Sequence, residues 1–199
     1  MAPSITLRTL LGLPDQPASL RASALIMIDC QNTYRHGVME LDGVEPALAE
    51  AARLLARARE AAIPIIHVMH DAGAGSPYDT NTEIGQISAE VSPAVGERII
   101  VKRYPSSFRH TGLDARLRET GCRDLILAGF MTHMCVNSTA RDAYNLGYRP
   151  TVVASATATR DLPGPDGLPV TAATLQAASL ATIGDLFGLV VGKPDDIPD

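Results

Sequence analysis

The sequence predicts an α/β protein in which helices cover both faces of a parallel sheet. Short apolar segments alternate with longer amphipathic segments from residue 24 to residue 191. Segments such as 25–28 (Leu-Ile-Met-Ile) and 125–128 (Leu-Ile-Leu-Ala) are apolar at every position, which is typical of strands buried on both faces. A chain of 199 residues is long enough to bury one core, so we predict a single domain over residues 1–199.

Six strands are predicted, each from a short run rich in isoleucine, leucine and valine. Their predicted ranges are 24–29, 63–69, 98–101, 124–128, 151–154 and 187–191. The sequence does not give the order of these strands in the sheet.

Four helices are predicted from apolar residues that recur three or four positions apart. The first carries Leu48, Ala52 and Leu55 on one stripe and has Pro46 near its start, where proline is well tolerated. The third is followed by a glycine, which favours a helix end at that point. The predicted ranges are 46–62, 113–120, 135–146 and 170–186.

Both chain ends are predicted to lie outside the sheet. Within residues 1–20, leucines at positions 7, 10, 11 and 13 are followed by prolines at 14 and 17. We interpret this segment as an N-terminal arm that packs on the body or on a neighbouring subunit. Residues 192–199 are acidic and contain proline, and we expect a frayed tail.

Composition excludes several classes of function. A net charge of −5 argues against a nucleic-acid-binding protein, which usually presents a basic face. The three cysteines form no disulfide framework and no C-x-x-C pair, which favours a reducing, cytoplasmic location. No segment has the pattern of a signal peptide or the length of a membrane helix. We therefore expect no membrane partner and a small-molecule substrate.

Three predicted strand ends carry ionisable or nucleophilic residues. Asp29 ends the first strand, Lys102 follows the third, and Cys135 lies shortly after the fourth. Because the carboxyl ends of parallel strands share one edge of the sheet, we expect these groups to converge. An acid, an amine and a thiol together predict a cysteine nucleophile assisted by a carboxylate.

Each of these residues also has a structural interpretation. Asp29 could cap a turn, Lys102 could be a solvated charge, and Cys135 could be a small buried side chain. With Thr132 as the N-cap of the following helix, Cys135 would occupy the third helical position, where the helix dipole favours a thiolate. The combination, rather than any single residue, carries the catalytic hypothesis.

The sequence does not predict a metal site or a cofactor. The five histidines form neither an H-E-x-x-H motif nor a cluster with cysteines. A G-x-S-x-G motif is missing as well, which argues against a serine hydrolase. We expect no cofactor and no metal.

Taken together, these motifs resemble those of the isochorismatase-like cysteine hydrolases. The matching segments are 25–32 (Leu-Ile-Met-Ile-Asp-Cys-Gln-Asn), 101–108, 129–136 (Gly-Phe-Met-Thr-His-Met-Cys-Val) and 154–161, ending in Ala-Thr-Arg-Asp. The resemblance implies a three-layer α/β/α sandwich, Rossmann-like, with a six-stranded parallel sheet. It also implies the triad Asp29, Lys102 and Cys135, and a cis peptide between Phe130 and Met131. The backbone N–H groups of Met131 and Cys135 are then expected to form an oxyanion hole.

Within that family, the thiol indicates hydrolysis of a carbon–nitrogen bond in a small amide or lactam. The N-terminal segment at 6–8 and the loop at 70–73 resemble streptothricin hydrolase, a lactam-opening member. Vinyl-ether hydrolysis of the isochorismate type and a non-catalytic oligomeric role remain alternatives. The family resemblance also implies a homo-oligomer, a dimer or a tetramer.

The wall of the substrate pocket is predicted from residues near the three strand ends, although each of them could be a packing or surface residue instead. They are Gln31, Asn32, Tyr34, Tyr78, Tyr104, Phe108 and His133. The loop after the second strand adds Asp71, Asp79 and Glu83, and an acidic, aromatic rim of this kind favours a cationic substrate.

Overall fold

The computed structural model describes residues 4–199 and contains a six-stranded parallel sheet in the order β3-β2-β1-β4-β5-β8. The strands of this sheet are β1 (Ser23–Ile28), β2 (Ile65–His70), β3 (Arg98–Lys102), β4 (Asp124–Phe130), β5 (Arg149–Ala158) and β8 (Leu189–Val191). A two-stranded antiparallel hairpin adds β6 (Leu162–Pro163) and β7 (Pro169–Val170). The helices are α1 (Leu7–Leu10), α2 (Val44–Glu60), α3 (Leu113–Thr120), α4 (Asn137–Asn145) and α5 (Ala172–Thr182). The predicted fold class is confirmed.

The core lies on both faces of the central strand β1, all six residues of which are buried. Successive side chains of a strand point to opposite faces, so Leu25 and Met27 enter one apolar cluster with α2. Ala24, Ile26 and Ile28 enter a second cluster with α3 and α4 on the other face. This double burial explains why β1 is apolar at every position from Ala24 to Ile28.

All six predicted strands and all four predicted helices are present, together with α1 and the β6–β7 hairpin, which were not predicted, and several boundaries differ. α3 spans the predicted residues, whereas β5 extends to Ala158, beyond the predicted end at residue 154. The additional residues are small or polar and therefore gave no strand signal. They are ordered by pairing with β4, where Phe130 lies opposite Ala158. The last long helix ends earlier than predicted and is followed by a π-helical turn, Ile183–Phe187.

Gly129 allows β1 and β4 to approach closely below the strand ends. Its φ is +118°, and a Cβ atom there would lie 1.9 Å from the carbonyl oxygen of Ile28. Any larger residue would both be strained and collide with backbone that cannot move aside. Asp29 directly follows Ile28, so its position depends on a glycine in the neighbouring strand.

The C-terminal segment is not frayed, so that prediction was wrong. Ile197 is 1% exposed and belongs to the core cluster on the α2 side. The amide of Leu20 donates to the carbonyl of Pro198 at 2.7 Å, and the Arg57 guanidinium donates to the carbonyl of Ile197 at 2.9 Å. An apolar anchor and these backbone contacts hold the acidic tail against α2.

The N-terminal arm packs on the body through α1, where the amide of Leu7 donates to the Asp185 carboxylate at 2.9 Å. Residues 1–3 of the predicted arm lie outside the described residues. No helix within residues 4–199 has the length and apolar character needed to cross a membrane. The single domain and the homo-oligomer stay predictions.

Candidate active site

The carboxyl ends of β1, β3 and β4 bring Asp29, Lys102 and Cys135 into direct proximity. The ammonium nitrogen of Lys102 lies 2.7 Å from Asp29 Oδ2 and 3.2 Å from Cys135 Sγ. The side chains of Asp29 and Lys102 are both 0% exposed, and Cys135 is 5% exposed. Residues separated by up to 106 positions in the sequence thus form one buried cluster of acid, amine and thiol.

Asp29 adopts a backbone conformation that is uncommon for a residue with a side chain. Its φ is +48°, in the left-handed region, and its amide donates to the carbonyl of Val68 at 2.8 Å. Apart from the ion pair with Lys102, neither carboxylate oxygen has a hydrogen-bond donor among residues 4–199. Burial raises the pKa of Asp29 above that of an ordinary aspartate, and the positive charge of Lys102 opposes this shift. The carboxylate therefore retains the capacity to accept a proton.

The Lys102 ammonium has a third partner, which the sequence did not reveal. His70 Nδ1 lies 3.2 Å from Lys102 Nζ, so the three N–H groups of the ammonium face a carboxylate, a sulfur and an imidazole nitrogen. Burial alone would lower the pKa of Lys102, but the negative charges of Asp29 and Cys135 and their hydrogen bonds raise it. Lys102 is thus held as a cation with fixed geometry.

His70 is positioned by the sheet and by one glutamine. It is the last residue of β2, the strand between β1 and β3, and it lies opposite Lys102 in the sheet register. Gln31 clamps its backbone, donating to the His70 carbonyl at 3.0 Å and accepting from the His70 amide at 2.8 Å. Burial and the charge of Lys102 lower the pKa of His70 to about 4. The ring is therefore neutral at neutral pH, with Nδ1 as acceptor and the proton on Nε2.

A polar residue at the end of β2 was the signal that could have identified His70. The sequence places it at a strand end, as it does Asp29 and Lys102. The strand order was needed to show that β2 lies between their two strands.

Cys135 lies in a π-helical turn, Thr132–Val136, that precedes α4. The predicted N-cap was wrong: Met131 occupies that position with extended backbone, and no side chain caps the turn. The Thr132 hydroxyl instead donates to the carbonyl of Ala158 at 3.0 Å, which ties the turn to the end of β5. The nucleophile is thus fixed by contacts to the neighbouring strand.

The thiol of Cys135 is protonated in the resting protein, contrary to the expected thiolate. Burial and the negative charge of Asp29 raise the pKa of Cys135 to about 12, and Lys102 only partly offsets them. Desolvation thus outweighs the favourable end of the helix.

The backbone beside the thiol has two features that the resemblance implies. The peptide between Phe130 and Met131 is cis. The amide of Met131 has no acceptor among residues 4–199, which leaves it available to an oxygen of a bound molecule. The oxyanion role of this amide and of the Cys135 amide stays a prediction.

Tyr34 and Tyr78 form an aromatic wall next to the triad. Their ring centroids are 5.8 Å apart, and Tyr78 meets the His70 ring edge-on at 5.0 Å. Burial and the charges of Asp29 and Cys135 raise the pKa of Tyr34 well above its ordinary value, so its phenol stays neutral. Tyr34 is 1% exposed whereas Tyr78 is partly exposed, so Tyr78 is the wall residue within reach of a ligand.

Gln31 and Asn32 have structural roles, which corrects their prediction as pocket residues. The Gln31 amide uses its hydrogen bonds on the backbone of His70 and on the carbonyl of Gly85 at 2.6 Å. Asn32 donates to the carbonyl of Glu83 at 2.9 Å and accepts from Ser88. Both side chains fasten the loop after β1 to the loop after β2.

Tyr104 and Phe108 also differ from the prediction. Phe108 is 9% exposed and stacks on Tyr148 at 5.8 Å, so it is a packing residue of the cluster that contains Cys135. Tyr104 is 41% exposed and lies under the Arg109 guanidinium. It belongs to the outer loop after β3 rather than to the wall around the triad.

The acidic rim expected to attract a cation is largely neutralised. Asp79 is 6% exposed, and its carboxylate accepts from the amides of Gly75 and Asn81 within its own loop. Asp71 forms an ion pair with Arg103 at 3.6 Å. These carboxylates order the loop after β2, and their arrangement does not support a charge preference for cations.

His133 and Arg160 lie where β5 ends beside the nucleophile's turn. His133 Nδ1 is 2.5 Å from the hydroxyl of Thr159. Burial and the positive charge of Arg160 lower the pKa of His133. Sequence reasoning identified His133 as a pocket residue but gave no role to Arg160. Within residues 4–199, no group of three or more His, Cys, Asp or Glu side chains is arranged to hold a metal ion.

Comparison with known proteins identifies the family of this chain. The isochorismatase domain profile matches residues 23–191, a range that contains all three residues of the triad. The chain belongs to the isochorismatase family. An isochorismatase from Pseudomonas putida KT2440 has the same fold with a TM-score of 0.94 at 39% identity, over 98% of this chain and all of that one.

Curated relatives of this isochorismatase-family chain have different activities in their names. A secreted isochorismatase effector of Verticillium dahliae is 36% identical over 94% of this chain and 97% of its own length. A streptothricin hydrolase of Streptomyces noursei is 31% identical over 84% of this chain and 61% of its own. A ureidoacrylate amidohydrolase of Pseudomonas syringae is 30% identical over 92% and 87% respectively. Because one relative is secreted, the cytoplasmic location of this chain stays a prediction.

Replacing Lys102 by methionine should destabilise the protein by about 3–5 kcal/mol, because it leaves the buried Asp29 charge without a partner. Adding Asp29→Asn should restore most of that loss. The deficit of the single variant should shrink as pH falls, since protonation of Asp29 removes the unpaired charge. Urea unfolding measures each stability. The control is Arg116→Met in the exposed ion pair of Arg116 and Glu119, which should lower the free energy of unfolding by less than about 1 kcal/mol. If the stability losses of the Lys102 and Asp29 single variants simply add in the double variant, the two side chains are not coupled.

His70→Leu and His70→Asn form a matched pair of equal size that tests the third contact of Lys102. Asparagine can place an acceptor oxygen near the position of Nδ1, and leucine cannot. Loss of a hydrogen bond to a charged group is worth about 1.5–3 kcal/mol, so His70→Leu should slow alkylation of Cys135 by iodoacetamide about tenfold or more. The asparagine variant should remain near the wild-type rate. Peptide mapping assigns the rate to Cys135, and equal slowing in both variants would reduce His70 to a packing residue.

Proposed function

We propose that this protein is a cysteine-dependent hydrolase that cleaves a carbon–nitrogen bond in a small amide or lactam through a thioester intermediate. One observation carries the proposal: a buried ammonium lies between a carboxylate and a thiol, at 2.7 Å and 3.2 Å. A structural role would not require an acid, an amine and a nucleophile to be buried together, because each is costly to desolvate.

The charge of the triad explains how a thiol with a raised pKa can act as a nucleophile. With Asp29 ionised, Lys102 protonated and Cys135 neutral, the buried cluster has no net charge. Releasing the thiol proton to solvent would leave a net negative charge in the interior. Transferring the proton to Asp29 keeps the net charge at zero and places the new thiolate beside the Lys102 ammonium. The nucleophile therefore forms by internal proton transfer.

The proposed reaction begins when Cys135 Sγ attacks the carbonyl carbon and its proton passes to Asp29. The amides of Met131 and Cys135 bind the oxygen as it becomes negative. Asp29 then returns the proton to the departing nitrogen, the carbon–nitrogen bond breaks, and a thioester remains. Asp29 next accepts a proton from water, the hydroxide attacks the thioester, and the proton returns to the sulfur as the acid departs. One water molecule is consumed and the triad regains its starting state.

Two kinds of relative support carbon–nitrogen hydrolysis. Streptothricin hydrolase and ureidoacrylate amidohydrolase are both related to this chain over more than four fifths of its length. The streptolidine lactam of streptothricin is one candidate substrate, and a ureide with an amide-like carbonyl is another. Attack by Cys135 on the lactam would give a thioester, and attack on the ureide would give an S-carbamoyl adduct as an amine departs; water then releases either adduct.

Vinyl-ether hydrolysis of the isochorismate type is the second candidate. The relatives named as isochorismatases favour it, and it requires an acid such as Asp29 but no thiol. A non-catalytic role in an oligomer is a third possibility, against which the burial of the complete triad speaks.

A covalent intermediate on Cys135 should be detected when the protein is exposed to a panel of amides, lactams, ureides and isochorismate. Intact-mass spectrometry after acid quenching should show an acyl adduct that maps to Cys135. The variant Cys135→Ala should lose both adduct and turnover by at least about 10³-fold, while Cys122→Ala keeps both. Turnover of isochorismate by Cys135→Ala would instead support the ether hydrolase.

The pH profile should show an acid limb that belongs to Asp29. Because burial raises the pKa of Asp29, kcat/KM should fall as pH decreases through a value above that of an ordinary aspartate, since the protonated carboxyl cannot accept the thiol proton. Asp29→Asn should lower kcat/KM by about 10²–10⁴-fold and remove this limb. An unchanged limb in that variant would assign the titration to another group.

A further inference from the structure

Arg160 follows the end of β5, and its backbone is fixed on both sides. Thr159 forms a bridge with Asp42, whose amide donates to the Thr159 carbonyl at 2.9 Å. The Asp161 carboxylate accepts from the amide of Ala172 at 2.7 Å, at the start of α5. The chain at Arg160 is therefore held as rigidly as the strand before it.

The segment around Arg160 is tied to the turn that holds the nucleophile. The Thr132 hydroxyl donates to the Ala158 carbonyl at 3.0 Å, and His133 contacts the Thr159 hydroxyl at 2.5 Å. Arg160 is the next residue along the chain. The positive charge of Arg160 lowers the pKa of Tyr78, whereas burial and the negative charges of Cys135 and Asp29 raise it. Tyr78 thus lies within electrostatic reach of both the triad and Arg160.

The guanidinium of Arg160 has no protein partner among residues 4–199. Its Nε–H is buried and donates to no acceptor. No carboxylate among residues 4–199 forms an ion pair with it, in contrast to Arg35, Arg53 and Arg59. Leaving a buried guanidinium nitrogen unpaired costs free energy. A buried polar group without a protein partner calls for an explanation, and a bound molecule that accepts its hydrogen bond is one.

We propose that Arg160 is a specificity residue that binds a carboxylate of the substrate, so that the protein acts on anionic amides or ureides rather than on cationic ones. This inference rests on the proposed function, since it concerns the substrate of the same site. A guanidinium presents parallel N–H donors that match the two oxygens of a carboxylate.

The acidic residues of the loop after β2 predict a cationic substrate, whereas Arg160 favours an anionic one. The loop carboxylates Asp71 and Asp79 are paired with Arg103 and with backbone amides. Arg160 carries a positive charge that no carboxylate among residues 4–199 pairs with. Local pairing, rather than the net charge of −5, therefore determines which ligands the site attracts.

Binding to the inactive variant Cys135→Ala tests the proposal without turnover. The probes are pairs of small ureides of equal length, one ending in a carboxylate and one in a hydroxyl, such as 3-ureidopropionate and 3-ureidopropanol, together with the matching amine. Calorimetry or ligand-observed NMR should show the carboxylate bound at least about 30-fold more tightly than its neutral partner. If no carboxylate binds more tightly than its neutral counterpart, the proposal is overturned.

Arg160→Met in the same background should remove this preference, weakening the carboxylate about 30-fold and the alcohol less than about threefold. Arg160→Lys should retain part of the preference, because it keeps the charge without the fork of donors. Arg116→Met, in the exposed ion pair with Glu119 on α3, is the matched control and should leave the preference unchanged. Equal weakening of both probes in Arg160→Met would show a structural role and overturn the proposal.

Failure of this inference is distinguishable from failure of the proposed function. In the enzyme with Cys135 intact, Arg160→Met should raise KM for an anionic substrate far more than it lowers kcat, and the Cys135 adduct should still form at saturation. Loss of the adduct with the charge preference intact would contradict the thioester mechanism but not the carboxylate site. Retention of the adduct without any charge preference would contradict the carboxylate site alone.

Discussion

The buried ammonium of Lys102 is the interaction on which the site depends. Desolvating an ammonium is strongly unfavourable unless its donors are matched by acceptors, and here Asp29, Cys135 and His70 supply one acceptor each. These partners come from β1, the turn after β4 and β2, so the cation can be satisfied only when all these segments are in place. The chemistry of the site and the arrangement of the sheet are therefore linked by one charged group.

The sheet satisfies this requirement with backbone features rather than with flexible loops. Asp29 has a left-handed backbone directly after a fully buried strand, and Gly129 lets the neighbouring strand pass close to Ile28. Gln31 holds the backbone of His70 with two hydrogen bonds. A site built on strand ends keeps its groups within hydrogen-bond distance, which proton transfer between thiol and carboxylate requires.

The same cluster accounts for a cysteine that is unreactive to solvent but suited to catalysis. Burial disfavours any net charge, so it raises the pKa of both the thiol and the carboxyl. A proton can move between them without changing the total charge, and the fixed cation favours the form in which sulfur is negative. Burial thus disfavours loss of the Cys135 proton to solvent but allows transfer of that proton to Asp29. Arg160, which lies outside this neutral cluster, retains an uncompensated charge for an external partner.

The sequence by itself determined the fold class, the number of main strands and the convergence of Asp29, Lys102 and Cys135 at one edge of the sheet. Periodicity and apolar runs identify strands such as 25–28 because these signals are local, and the strand-end rule then groups Asp29, Lys102 and Cys135. Local signals also located α3 correctly. They did not find the extension of β5, whose small polar residues are ordered only by pairing with β4.

Only the tertiary structure decided which polar residues face the ligand. Gln31 and Asn32 are next to Asp29 in sequence, yet their amides are used to fasten two loops together. His70 and Arg160 lie 41 and 131 positions from Asp29 in the sequence, and the strand order and the end of β5 place them at the site. A polar side chain can bind a ligand only if the hydrogen bonds within the protein leave it a free donor or acceptor. Those internal hydrogen bonds depend on contacts between distant segments, which no local sequence pattern encodes.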